Sequence, residues 1–161
     1  MYFWRIKQLR QHLINNGLTE KQLFYYILIY AGLGAIGVEL VGYVPYEEPD
    51  LWSYVSSAMN ILIPVLGTIA AFRANGGSSG IKFAERYFSI GLVVTIRFMV
   101  LLIPIVFIMA AYWFLADGLD SDTSESSSLA VAIITSVWYA SLYFFIARNI
   151  GNVAKSTAAP T

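Results

Sequence analysis

The chain of 161 residues contains no cysteine, a single histidine, and few charges: Asp, Glu, Lys and Arg together make up 12% of it. The missing cysteine excludes disulfides, thiolate metal centres and a thiol nucleophile. It also removes any indication of redox compartment. A lone histidine, His12, cannot build a metal site, and it is read as a polar residue at headgroup level. A serine nucleophile needs a base, and none is placed within the apolar runs. "RANGGSSG" at 73–80 only superficially resembles a nucleotide loop. Gly76 and Gly80 stand four apart with Lys82 displaced, and G-x-x-x-x-G-K-[ST] is absent. "DGLDSDTSE" at 117–125 opens like a calcium loop, but it lacks the glycine at position six and the glutamate at position twelve. No enzyme, cofactor, metal site or nucleic-acid partner is expected.

What the chain does have is apolar residues in runs, 58% of the total. Four runs, roughly 23–44, 51–72, 88–115 and 129–147, reach the length of about 20 residues that crosses a bilayer. The expected fold is all-α and integral to a membrane. It is a transmembrane bundle of four helices with an N-terminal cytoplasmic amphipathic helix, a single domain over 1–150 and a flexible tail over 151–161. "MYFWRIKQLRQHLINNG" has no continuous apolar centre and no small-residue cleavage site, so it does not read as a signal peptide.

The net charge of zero conceals a segregation. Arg5, Lys7, Arg10, Lys21, Arg73, Lys82, Arg86, Arg148 and Lys155 all fall on one side of the four runs. The connections on the other side, "PYEEPD" and "ADGLDSDTSESSS", hold Glu47, Glu48, Asp50, Asp117, Asp120, Asp122 and Glu125 without a single cation. Short loops rich in Lys and Arg stay cytoplasmic. Both termini and the 73–82 loop are therefore expected inside a cell (inner) membrane, and the acidic loops outside. Tyr43, Tyr46, Trp52, Tyr112 and Trp113 mark the outer ends, and Tyr25 and Tyr26 an inner end, as aromatic belts do.

Residues 2–14 form the amphipathic helix: Tyr2, Ile6, Leu9 and Leu13 share one face and "NNG" ends it. A basic helix of this kind is expected on the anionic inner leaflet. Thr19 and Gln22 have capping-box spacing. In the first run Ala31, Gly34 and Ala35 make a small-residue face for close helix contact, within the chain or with another subunit. The second run has a polar or small stripe at Ser53, Ser56, Ser57, Asn60, Pro64, Gly67, Thr68 and Ala71, opposite Val55, Met59, Leu62, Leu66 and Ile69. Pro64 frees the Asn60 carbonyl, which predicts a polar notch. Asn75 and Gly76 are expected to end this helix, and Ser78 or Ser79 to cap the next. In the fourth run Ala132, Ser136 and Ala140 form another small ladder.

Arg97 is the one cation inside an apolar run. With the outer end of the third run held near Leu115, Arg97 lies about 27 Å below it, close to the inner edge of the hydrocarbon core. There it can reach headgroups, or partner the polar face and carbonyls of the second run. Glu39 belongs to the outer half, on the order of 15 Å away, too far for direct pairing. Intramembrane polar residues are candidate sites, so Glu39, Asn60, Pro64 and Arg97 form one candidate group. Arg5, Lys7, Arg10, Lys82 and Arg86 are the candidate headgroup contacts.

The functional expectation is a non-catalytic interaction or assembly subunit. Its partners are membrane lipids, with a homo-oligomer or a membrane protein as companion. The alternative is a small oligomeric channel or transporter lined by Asn60, Pro64, Glu39 and Arg97.

Overall fold

The computed structural model describes residues 2–41, 49–116 and 124–158. The two acidic connections lie largely outside them, as do Tyr43 and Tyr46 and the side chains of Tyr112 and Trp113. All described secondary structure is helical: α1 (Ile6–Asn15), α2 (Glu20–Val41), α3 (Leu51–Ala74), a one-turn 3-10 segment (Gly77–Ser79), α4 (Phe83–Ala116) and α5 (Ser124–Ala158). Four of these helices, α2 to α5, are long and apolar enough to cross a membrane.

Packing is concentrated at one end, called here the basic end. It holds α1, the 75–82 loop, the start of α4 and the end of α5. Helix α4 is its centre, and Ile90, Leu92, Val93 and Val94 are buried there with Leu9 and Leu13 of α1, Tyr26 of α2, and Ile146, Ile150 and Val153 of α5. A helix stretch that is apolar all round belongs in such a position. Beyond Arg97 the same helix is exposed, from Met99 to Ile108. Past Leu33, α2 is exposed too.

The closest helix pair is α3 with α5, which run parallel. A Cβ on Gly67 would sit 2.5 Å from Cβ and Cγ of Tyr143, so only glycine fits there. Further along, a Cβ on Gly151 would rest 3.5 Å from that of Ala74. Only the later part of the small stripe takes part: Gly67 lies against α5 and Ala71 is buried, while Ser53, Ser57 and Asn60 are exposed; of the small ladder on α5, Ala132 is buried and Ala140 exposed. On the opposite face of α3, Met59, Leu62, Leu66 and Ile69 are exposed, as the spacing predicts, while Val55 is half-buried.

The Thr19–Gln22 box is present. The Thr19 amide donates to Gln22 Oε1 (3.1 Å), and the Gln22 amide to Thr19 Oγ1 (3.3 Å). Four expectations change. The helix expected over 2–14 begins at Ile6, because tertiary bonds take the backbone before it. The Tyr26 hydroxyl accepts from the Tyr2 amide (2.9 Å) and donates to the Tyr2 carbonyl. The apolar face of α1, Leu9 and Leu13, is spent on protein rather than left for a lipid surface. Ser78 and Ser79 do not cap α4: Ser79 Oγ donates to the Gly76 carbonyl (2.8 Å), and α4 starts only at Phe83. At the other end of the chain, α5 continues to Ala158, through the segment expected as a tail.

Candidate functional site

The polar residues that the structure brings together lie at the basic end. Asn75 ends α3, and its amide donates to the Ala71 carbonyl (3.0 Å). Its side chain does two further jobs. Nδ2 donates to the Ile81 carbonyl (3.2 Å), and Oδ1 accepts from the Arg86 guanidinium (2.8 Å). Gly76 turns through a left-handed φ of 104°. Gly80 is pressed so closely on the Asn75 carbonyl that a Cβ has no room. The loop is thus wound around Asn75, which aims Arg86 across to α5. There Thr157 Oγ1 accepts a second guanidinium bond (3.1 Å). One buried cation ties the ends of three helices.

The neighbouring Glu85 faces the other way. Its Oε1 accepts from the Leu18 amide at 2.5 Å, and its Oε2 lies 3.8 Å from Lys82 Nζ. This carboxylate fixes the turn between α1 and α2. Replacing Glu85 by alanine strands the Leu18 amide, and a lost charged bond of this kind costs about 1–3 kcal/mol. The Glu85→Ala protein is therefore expected to melt earlier in detergent, and an unchanged midpoint would show that the turn does not depend on it.

Beside Asn75 opens a cavity of about 410 Å³, lined among others by Arg73, Arg86, Lys155, Ser79 and Thr157. Arg86 is buried in its wall, while Arg73 and Lys155 stand exposed at its rim. Among the described residues none of the three forms an ion pair; the one salt bridge is Lys82–Glu85. Of the five expected headgroup contacts, Arg86 alone lines this cavity. Lys82 pairs with Glu85, and Arg5 and Lys7 are exposed on and beside α1. Arg10 is half-buried, with its Nε enclosed and without a partner.

The candidate group of Glu39, Asn60, Pro64 and Arg97 is not gathered within one chain. Glu39 and Asn60 are exposed on different helices, and Pro64 is half-buried on α3. Arg97 is engaged elsewhere. Its Nε donates to the Trp4 carbonyl (3.0 Å), a terminal nitrogen donates to the same oxygen, and the guanidinium lies 5.5 Å from the Trp4 ring centroid. A cation above an indole face is attracted by the ring quadrupole. Arg97 thus holds the segment before α1 against α4, in a contact with neither α3 nor Glu39. His12 is half-buried, 5.7 Å from the Tyr2 ring.

Arg73 and Lys155 are the functional candidates that sequence reasoning passed over. Arg73 reads alone as an ordinary C-terminal cation of its helix, and Lys155 as part of the tail expected over 151–161. Only the parallel α3–α5 pairing sets them around one cavity. No protein-family model matches the chain, and no curated protein or solved structure is significantly similar to it.

Proposed function

We propose that the chain is a non-catalytic, multi-pass membrane protein that acts as an assembly subunit, with a basic cytoplasmic end held against anionic lipid. The segregation of cations to one end supports that orientation, with both termini and the 75–82 loop inside an inner membrane. The observation that carries the assembly reading is the bare face of α2. A Cβ built on Gly34 meets nothing within 4 Å, and Ala31 and Ala35, on the same side of the helix, are exposed. In lipid there is no hydrophobic drive between helices, and small residues gain stability only by letting a second helix approach closely. This face is built for such an approach, and no described residue of its own chain occupies it. A second copy of the chain is the partner put to the test.

The absence of native cysteine makes the test clean. Gly34→Cys, oxidised in membranes, is expected to give a disulfide-linked species of twice the monomer mass. Ile103→Cys, on the exposed part of α4, serves as the off-face control. A Gly34→Cys protein that reacts with a lipid-soluble maleimide yet stays monomeric would overturn self-assembly through α2. A channel would need Glu39, Asn60 and Arg97 to converge between copies, and no contact within the chain favours that reading.

A further inference from the structure

The cavity beside Asn75 draws Arg73 from α3, Arg86 from α4 and Lys155 from α5. Arg73 and Lys155 lie in the last turns of their helices, where a cation complements the partial negative charge of the helix end. Arg86 has no such reason to be where it is. It stands in the opening turn of α4, at the partially positive end of that helix, and it is only 3% exposed. A charge taken out of water is costly unless compensated. Its bonded partners, Asn75 and Thr157, are neutral side chains. The helix ends do not make up the difference. Two C-termini and one N-terminus sum to roughly −0.5 of a unit charge, against three full positive charges. Glu85, the adjacent carboxylate, attracts the Arg86 charge through space, but its oxygens face Leu18 and Lys82, and the Lys82 charge offsets its own.

We propose that this cavity binds the phosphate of a phosphate ester. A phosphomonoester carries about −1.5 to −2 at neutral pH, close to the uncompensated excess. Arginine forks match phosphate oxygens in pairs. The volume falls in the range of about 300–1,000 Å³ used for small ligands, which leaves room for the glycerol beyond the phosphate. The ester comes either from an anionic phospholipid headgroup or from a soluble phosphate. The lipid source rests on the membrane reading above, and the soluble source does not.

The test uses the full chain with phosphatidic acid in phosphatidylcholine nanodiscs, read by native mass spectrometry. In parallel, glycerol 3-phosphate is added to phosphate-free detergent and the melting midpoint is read. R73Q/K155Q removes the two exposed cations and leaves the Arg86 network intact. Retention of phosphatidic acid that falls roughly tenfold or more in this variant, without an effect of glycerol 3-phosphate, assigns the site to a lipid headgroup. Stabilisation by glycerol 3-phosphate that the variant loses assigns it to a soluble ester. R73K/K155R is expected to retain binding, and K7Q/K21Q, which removes exposed cations elsewhere on the basic end, to leave it unchanged. Equal binding by wild type and R73Q/K155Q in both arms, or an equal loss in K7Q/K21Q, would overturn the proposal. Should the double variant melt early, either single substitution carries the comparison with a smaller loss. The outcome is independent of α2 cross-linking, so one reading can fail without the other.

Discussion

Gly67→Leu is expected to destabilise the protein by about 3 kcal/mol, the upper end of overpacking costs, and to separate α3 from α5. The reason is the quality of the clash. The atoms facing Gly67 are Cβ, Cγ and Cδ1 of Tyr143, the rigid base of that side chain rather than a mobile tip. They cannot swing aside, so the backbones must move apart. Phe98 meets the Trp138 and Phe145 rings edge to face, so a displaced α5 also disturbs its seam with α4. Thermal or denaturant unfolding in detergent measures the loss. Val65→Leu, on the exposed side of α3, is the matched control and is expected to stay within about 0.5 kcal/mol of wild type. Coincident unfolding of the two variants would mean that α3 and α5 do not meet at Gly67.

Arg97→Leu is expected to release the segment before α1 while leaving the four long helices in place. Two guanidinium bonds and a ring contact converge on Trp4, and a charged hydrogen bond contributes about 1.5–3 kcal/mol. Hydrogen exchange in peptides covering residues 2–9 should accelerate by roughly 10- to 100-fold, with exchange in α3 unchanged. Arg97→Lys keeps the charge but loses the fork, and it should fall between the two. Exchange in this segment that does not respond to Arg97→Leu would remove the anchoring role. Leucine at this position is more apolar than arginine, so membrane insertion is not what the substitution impairs.

Much of the architecture is legible in local patterns. Apolar runs of bilayer length became α2 to α5, the Thr19–Gln22 box is formed, and Gly67 of the small stripe of α3 does face a neighbour. What cannot be read locally is which neighbour. Nothing near Gly67 announces Tyr143, and nothing near Arg73 announces Lys155. Both pairings follow from helices that meet only after the chain has folded. The start of α1 illustrates the same limit. Periodicity carries the amphipathic pattern back to Tyr2, but Tyr26 and Arg97 claim the backbones of Tyr2 and Trp4, and the helix begins after them. Arg97 shows the limit most plainly: its depth points to lipid, Glu39 or α3, yet its partner among the described residues is Trp4, 93 residues earlier in the chain. Arg86 was legible as a cation near the loop. Its burial was not, because Asn75, which aims it, reads in sequence as a helix stop.

The parallel pairing of α3 with α5 also sets a schedule for synthesis. Gly67 leaves the ribosome 76 residues ahead of Tyr143, and at about 5–20 residues per second that is a wait of roughly 4–15 s. Adjacent helices could pair as a hairpin within that interval, but this groove has no occupant until the last helix arrives. The final stretch of translation therefore closes the tightest seam in the protein, and a nascent chain stalled before residue 143 carries α3 with its glycine groove still empty.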